Sequence, residues 1–527
     1  MSNTEAPIIV GLDIGTTKVA AIAGRRNAIG KLEILGFGRA DSSGVEHGMV
    51  LNLQQCIKSI RLALEECLES NDRLHIREVY VGIAGQHIKS LQNRGERVRA
   101  VPDDLINRFD IEALIRDQRQ APIPAGDRII DIVPQDFTVD GFSGITNPIG
   151  RTGVKIGANF HLITGDAGAI RNIKRSVEES GLRVKDLVLQ PLASAAAVMS
   201  AEEFEAGVAI VDIGGGTTDL AVFADNMLKH TKVIPFAGVN ITQDIRKGLN
   251  VLKSQAEQLK VQFGCAIVDE TPQNDYITIP GIHGAPPKEI SRRNLAHIIQ
   301  ARMEEILDFV VYELRAQNLE NKISAGIILT GGGSSLSHLR QLTEYRTGLN
   351  ARLGHPTEHL APGFAKELSN PIYATCIGLI LRGIQDYETG KIIIEAVEDV
   401  HLNHEPILPP APPAATQVTQ TDVFAEQTEV EQSEEEQETV EAQEEVYATS
   451  EAAETPTSAT SGLSMPNIKL PNVNIGVIKN TIDRRLDTVK NIFGTIGGQL
   501  MTWFDEVDDP MLKDDNNSFR NEPEDHK

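Results

Sequence analysis

The chain has 527 residues, a formal net charge of −24, 41% hydrophobic and 4% aromatic residues, four cysteines and one tryptophan. An acidic balance leaves no basic footprint for nucleic acid, the isolated cysteines Cys56, Cys67, Cys265 and Cys376 match no zinc spacing and read as reduced thiols of a cytosolic protein, and no window is apolar over a membrane span. The charge is uneven: residues 395–527 hold 28 acidic and 8 basic side chains, whereas residues 1–394 hold 46 and 42, so the first part is nearly neutral and long enough for two or more packed domains.

The opening "MSNTEAPIIVGLDIG" has no basic region ahead of an apolar core, so no secretion signal is expected. "PIIVGLDIGTTKVAAIAGRR" reads as a β-hairpin whose tight turn carries a carboxylate, two hydroxyls and an ammonium: Asp13, Gly15, Thr16, Thr17 and Lys18. The pattern returns as "GVAIVDIGGGTTDLAVFADN", with Asp212, Gly214, Gly215, Gly216, Thr217, Thr218 and Asp219. One copy alone would be explained by backbone geometry, since Gly and Asp are ordinary turn residues. Two copies point to a duplicated module with a shared task. Glycines let backbone N–H groups approach phosphate oxygens, hydroxyls add donors, and facing carboxylates can hold the waters of a Mg²⁺ ion.

"SQAEQLKVQFG" reads as a helix with Glu257 and Lys260 three apart on one face, a spacing that also suits a solvated ion pair. In "PPKEISRRNLAHIIQARMEEIL" the helix period gives an apolar face of Leu295, Ile298, Ile299, Met303, Ile306 and Leu307, expected to be core, with Lys288, Arg292, Arg293 and Arg302 around it. "SAGIILTGGGSSLSHLRQLTEY" reads as a strand, a glycine turn at Gly331, Gly332 and Gly333, and a helix that Ser334 or Ser335 would cap. Such a helix start favours a polar or anionic nucleotide group. Neither a GxxxxGK[ST] loop nor a GxGxxG fingerprint occurs, and the histidines show no metal-ligand clustering.

From Ile392 to Ile468 there is no Lys or Arg, and a Glu- and Gln-rich run follows a proline cluster, so residues 395 to about 465 are expected to be a disordered tether. Beyond it, at 100° per residue, Ile482, Leu486, Val489, Ile492, Phe493, Ile496, Leu500, Trp503 and Phe504 fall within an arc of about 120°. Gly494, Gly497 and Gly498 cost this helix about 2.5 to 3 kcal/mol relative to alanine, so it is expected to form on an apolar surface rather than in water. An in-plane membrane helix fits the stripe and its terminal Trp and Phe. The acidic flank after residue 504 gives little attraction to anionic lipid, which leaves apolar burial as the driving force.

The paired hairpins and the later TGGG turn resemble those of the actin, Hsp70 and sugar-kinase ATPase superfamily, in which two similar α/β domains each present a DxG hairpin to one nucleotide. Within it the chain is most similar to the FtsA family of bacterial cell-division proteins. The likeness is collinear from "GLDIGTTKVAAIAG" through "VYVGIAGQHIKS", "VPQDFTVDGFSGITNPIGRTGVKIGANFHLIT", "SGLRVKDLVLQPLASAAAV" and "VDIGGGTTDLAVF" to "AGIILTGGGSSL" and "NPIYATCIGLIL". The resemblance implies an actin-like duplicated ATPase fold carrying the family's own inserted subdomain, 1C. Subdomain 1A would occupy 1–84 and 166–204, 1C 85–165, 2A 205–237 and 318–372, and 2B 238–317, with a closing 1A segment at 373–394. An acidic disordered linker would follow at 395–465, an amphipathic membrane-targeting helix at 480–507 and an acidic disordered tail at 508–527.

It further implies ATP and Mg as cofactors. Asp13 to Lys18 and Asp212 to Thr218 would form the phosphate loops, Thr330 to Gly333 would border the adenosine, Glu257 and Lys260 would flank adenine and ribose, and Asp13 and Asp212 would hold Mg through water. Gln190 stands where Hsp70-like relatives carry a Glu near the attacking water; an amide cannot act as a base, so no catalytic residue is firmly assigned and slow hydrolysis, or none, is expected. The implied partners are the C-terminal peptide of FtsZ, met in 2B by Lys288, Arg292, Arg293 and Arg302, further copies of the chain in actin-like filaments, later division proteins, and lipid. The implied location is the cytoplasmic face of the inner membrane at the division septum. Three other functions share the fold: a small-molecule kinase, for which the sequence nominates neither a catalytic Asp nor a substrate pocket; a chaperone, for which the C-terminal part lacks a β-sandwich pattern; and a pilus or secretion assembly ATP-binding protein, which would need no terminal amphipathic helix.

Overall fold

A computed structural model of the chain describes residues 6–390, apart from 72, 282–285 and 364–365. The expected linker, amphipathic helix and tail, with the stripe from Ile482 to Phe504, lie outside the described residues. Among those described, no helix is long and apolar enough to cross a membrane.

The first half starts with an antiparallel meander, β1 (Ile9–Ile14), β2 (Lys18–Arg26) and β3 (Leu32–Asp41), then a minimal hairpin, β4 (Val45–Glu46) and β5 (Met49–Val50), helix α1 (Leu53–Glu69) and strand β6 (Glu78–Ile83). An insertion follows: β7 (Lys89–Val98), α2 (Arg108–Asp117), β8 (Asp127–Val139), β9 (Phe142–Ile145) and β10 (Lys155–Asp166). The half closes with α3 (Ala167–Glu178), β11 (Arg183–Leu189), α4 (Gln190–Val198) and α5 (Ala201–Ala206).

The second half repeats the meander as β12 (Val208–Ile213), β13 (Thr218–Ala224) and β14 (Met227–Ile234). Helices α6 (Gly238–Leu249) and α7 (Lys253–Phe263), a hairpin of β15 (Tyr276–Ile279) and β16 (Lys288–Ser291), and the long α8 (Arg292–Ala316) come next. Then follow β17 (Ile327–Thr330), α9 (Leu339–Thr347), β18 (Ala351–Leu353) and α10 (Ala374–Thr389).

The duplication expected from the two glycine turns extends to the sheets. One runs β3-β2-β1-β6-β11 and the other β14-β13-β12-β17-β18, each a three-stranded meander continued by two strands parallel to its first. Parallel strands covered on both faces read as apolar runs, as "IVGLDI" and "VAIVDI" do. Between the sheets lie α4 and α10, which share a core with Ala20 and Ile22 of β2, Val208 and Ile210 of β12 and Phe223 of β13. Small residues set their approach: a Cβ on Gly378 would strike the Ala193 backbone, and one on Gly11 would lie 2.6 Å from the Cys376 carbonyl oxygen. All four cysteines are buried, unpaired thiols.

The insertion forms its own antiparallel sheet, β7-β10-β8-β9, over a separate core of Ile106, Leu114, Phe137, Ile156 and Phe160. It touches the second half at β14. Gln135 Nε2 donates to the Leu228 carbonyl at 2.9 Å, and His161 Nε2 lies 2.8 Å from the Lys229 carbonyl. Burial pushes the His161 imidazole below its usual range.

The apolar face expected on α8 is core: Leu295, Ile299, Met303, Ile306 and Leu307 are buried, and Ile298 packs against them. One element departs from expectation. After β17 the glycine turn leads into a single 3₁₀ turn, Gly332–Ser335, and α9 begins only at Leu339, behind the left-handed His338. Neither Ser334 nor Ser335 caps it, because Ser334 Oγ turns back to donate to the Gly331 carbonyl at 2.7 Å. The hydroxyl donates to a carbonyl within its own turn, where a capping serine would instead accept from the free N–H groups of the helix start.

Candidate functional site

The two hairpin turns are built alike. Gly15 N donates to the Lys18 carbonyl at 2.9 Å, and Gly214 N donates to the Thr217 carbonyl at 2.9 Å. They also face one another. A Cβ on Gly215 would lie 2.8 Å from Thr17 Oγ1, and one on Gly216 would strike Thr16 Oγ1. Glycine is therefore required in the second turn by the closeness of the first, a reason that no local reading of "DIGGGTTD" contains.

Each turn's aspartate is buried at the start of a central helix. Asp13 Oδ2 accepts from Lys18 Nζ at 2.6 Å, and its Oδ1 accepts from Gln190 Nε2 at 3.1 Å, Gln190 being the first residue of α4. Asp212 Oδ2 accepts from Ser194 Oγ at 2.5 Å and from Thr375 Oγ1, in the first turn of α10, at 3.3 Å. Helix N-termini carry partial positive charge, so both carboxylates sit where the fold tolerates anions best. Burial nevertheless pushes the Asp212 carboxyl above the usual aspartate range; the Ser194 hydrogen bond opposes that rise and the Asp13 charge adds to it.

Asp219 stands directly across the hairpin from Asp212. It is buried, accepts from Thr217 Oγ1 at 3.1 Å on one oxygen, and has no partner among the described residues for the other. Burial first, then the neighbouring Asp212 charge, pushes its carboxyl well above the ordinary range. Asp13, Asp212, Asp219 and Lys18 thus form an acid-rich cluster facing the two turns. Asp219 was read from sequence as part of the second turn pattern but given no role there, and Ser194 and Thr375 were not singled out; Ser194 carried a signal, lying one helical turn after Gln190 in "QPLASAAAV".

Around the second turn, Gly238 N donates to the Gly214 carbonyl at 3.2 Å and Val239 N to the Gly215 carbonyl at 2.8 Å, which seats the start of α6 on the hairpin. Lys260 Nζ reaches the Gly238 carbonyl at 3.1 Å, Thr242 Oγ1 at 2.9 Å and Glu257 Oε2 at 2.9 Å. With its side chain 13% exposed, Lys260 is held at the turn, whereas Glu257 is 45% exposed. Thr217 and Thr218 are buried, and Thr218 Oγ1 donates to the Phe236 carbonyl at 2.7 Å. On the far side, a Cβ on Gly331 would strike Asp212 Oδ1, so the TGGG turn abuts the same carboxylate. Thr330 is buried against the Gly354 and Pro371 carbonyls, Gly332 is exposed, and Gly333 packs on Ile213.

The four cations expected to meet a partner peptide do not gather at this site, and each already has partners. Lys288 Nζ donates to the Leu249 carbonyl at 2.7 Å, Arg292 pairs with Asp275 at 2.6 Å and Arg293 with Asp269 at 3.1 Å. Arg302 pairs with Asp244 at 2.6 Å and with Glu305, and lies over the Phe236 ring. They hold α8 to α6 and to the segments before it.

Comparison with known proteins adds an independent line. A family model described as "Cell division protein FtsA" matches residues 209–378, and one described as "SHS2 domain inserted in FTSA" matches residues 85–164. The chain is 38% identical over 384 residues to the cell division protein FtsA of Pseudomonas aeruginosa, covering 73% of this chain and 91% of that one. It is 34% identical over 399 residues to that of Escherichia coli strain K12, covering 74% and 94%. Among solved structures, the PilM-PilN type IV pilus biogenesis complex aligns with a TM-score of 0.53 and 18% identity over 71% of this chain and 98% of that one, a likeness of fold alone.

Proposed function

The chain belongs to the FtsA family of cell division proteins, and from that premise we propose that it is an ATP-binding, actin-like adaptor that tethers FtsZ filaments to the cytoplasmic face of the inner membrane at the septum. The observation that carries the nucleotide part is the facing of two like-built glycine turns over Asp13 and Asp212, with Asp13 bonded at the start of α4 and Asp212 in the first turn of α10. An acid-rich cluster beside backbone N–H groups suits a polyphosphate only with a divalent cation between them. Asp219, with a buried oxygen lacking a protein partner, fits that chemistry.

In this reading Gly15 to Lys18 and Gly214 to Thr218 hold the phosphates, Thr330 to Gly333 border the adenosine, and Lys260 with Glu257 lies toward ribose and adenine. Asp13 and Asp212 hold Mg²⁺ through its waters; among the described residues no group of three or more His, Cys, Asp or Glu side chains is placed to hold a metal directly. Bound Mg²⁺ supplies charge neutralisation for the phosphates. Gln190, tied to Asp13, orients water or a hydrated ion and takes no proton, which supports slow hydrolysis at most.

Residues 85–165, 238–317 and the remaining segments take the family's subdomain roles, and the 2B segment receives the FtsZ peptide. Because Lys288, Arg292, Arg293 and Arg302 are engaged within the chain, they meet peptide carboxylates only as rim charges or by exchanging partners. Membrane attachment rests on the stripe from Ile482 to Phe504. A single such segment is a weak anchor, and side-by-side polymerisation makes it strong through effective concentration.

Calorimetric titration of ATP with Mg²⁺ into the full chain tests the nucleotide reading. Saturable binding that Asp212→Ala weakens supports it; no heat of binding at millimolar ATP refutes it.

A further inference from the structure

Strands β4 and β5 are joined by a two-residue turn, His47–Gly48, paired Val45↔Val50 and Glu46↔Met49. Both turn residues have positive φ, 47° and 78°, the geometry of a type I′ hairpin, in which Asn or Gly normally precedes Gly. A histidine in the left-handed region is uncommon, and here the ring has a specific partner.

This tip touches three parts of the molecule. His47 Nδ1 lies 3.0 Å from the Gly216 carbonyl, so that nitrogen carries a proton and donates. Gly48 N donates to Thr16 Oγ1 at 3.3 Å. On its other side a Cβ on Gly48 would lie 2.8 Å from the Ala84 carbonyl oxygen, and one on Gly85 would lie 3.2 Å from the His47 carbonyl oxygen and 2.8 Å from His87 Nδ1. His87 in turn packs on Gly165, where a Cβ would lie 3.1 Å from its Cδ2. Residues 84–88 lead the chain into the inserted sheet, and Gly165 lies where it leaves. One turn is thus wedged between both phosphate hairpins and the neck of the insertion, where the chain enters and leaves its sheet.

We propose that the His47–Gly48 turn transmits the spacing of the two phosphate hairpins to the neck of the inserted sheet, with His47 as the positioning residue that ties Gly216 to it. The proposal rests on the nucleotide reading above. Nucleotide between the hairpins resets the Thr16 and Gly216 contacts, and the rigid turn, packed on Ala84 and Gly85 without slack, passes the change to His87 and hence to the sheet of residues 89–166. No phosphate contact is assigned to His47 itself.

The test combines ATP titration with hydrogen exchange at the amides of residues 85–88 and 166–168, using the full chain, His47→Gly and His47→Asn. Glycine keeps the left-handed turn and removes the ring; asparagine keeps the turn and a donor at the same reach as Nδ1. The expected result is that ATP with Mg²⁺ slows neck exchange in the unsubstituted chain at least about fivefold, the lower end of ordinary coupling between sites. His47→Gly is expected to bind ATP with affinity little changed and to lose the neck response, and His47→Asn to retain it. A neck that responds equally in His47→Gly, or does not respond in the unsubstituted chain although ATP binds, overturns the proposal and leaves the nucleotide reading standing. Loss of ATP binding in His47→Gly also overturns it, by making His47 part of the binding site. An unsubstituted chain that takes up no ATP removes both.

Discussion

The Gln190 side-chain amide donates to the Asp13 carboxylate over 3.1 Å, which binds the first residue of a central helix to the first glycine hairpin. Gln190→Glu would set a second carboxylate against Asp13 and raise the pair's affinity for a proton. Once deprotonated, that carboxylate is a general base where the glutamine is none. Phosphate release from ATP is expected to rise about tenfold or more above pH 8, a modest share of what a positioned base supplies. A rate equal to that of the unsubstituted chain at pH 8 and above would show that Gln190 does not face the attacking water.

Lys18 is the cation within 2.6 Å of Asp13, and the two side chains are 11% and 8% exposed. Lys18→Met keeps the apolar stem and leaves a buried carboxylate without its charge partner. Breaking such a pair costs about 3–5 kcal/mol. Urea unfolding at neutral pH is the check, with the midpoint expected to fall by that equivalent.

Asp219 gives a pH signature. Its carboxyl is held well above the ordinary aspartate value of 3.8, mainly by burial and then by Asp212, so the native state binds its proton more tightly than the unfolded chain does. The stability this confers is complete below that ordinary value and is lost as pH rises toward the native value. Asp219→Asn removes the penalty of burying a charge and is expected to stabilise the nucleotide-free protein by about 1–3 kcal/mol at pH 7. The gain should shrink as the solution is acidified toward 3.8. Thermal unfolding of both forms across that range decides it; a gain that grows on acidification would contradict the assignment.

Glycines of the second hairpin turn and of the TGGG turn should not be equivalent. Gly216→Ala drives a methyl into Thr16 Oγ1 and to 3.0 Å from the His47 backbone, forcing the hairpins apart, whereas Gly332→Ala brings its methyl no nearer than 3.8 Å to Ile372. ATP affinity is expected to fall about 100-fold or more in the first, an overpacking cost of about 3 kcal/mol, and to stay within about threefold in the second. Titration of both variants gives the comparison directly.

The duplicated hairpins were legible because β-rich apolar runs flank turns whose glycines and aspartates repeat, and the α8 core face because Leu295 to Leu307 keep the helical period; the third strand that makes each hairpin a meander was not. The partners of those turns were not. Ser194, Thr375 and His47 reach the site from positions 18, 163 and 169 residues distant from the groups they bond, and no local pattern encodes such encounters. Three of the cations around α8 looked available from sequence because each meets an acid well before the helix, Arg292 at Asp275, Arg293 at Asp269 and Arg302 at Asp244, the last 58 residues away. The TGGG turn misled for a local reason, since Ser334 bonds its own turn instead of capping α9.

The central claim is that one end of the chain binds a lipid surface while its folded part carries FtsZ. Co-sedimentation with vesicles of phosphatidylethanolamine and phosphatidylglycerol, in the presence of ATP, compares the full chain with a form ending at residue 470, each with and without FtsZ. The account predicts that the full chain pellets with the vesicles and brings FtsZ down, and that the shortened form stays in solution. Equal pelleting of the two forms, or FtsZ left behind by the bound full chain, would contradict it.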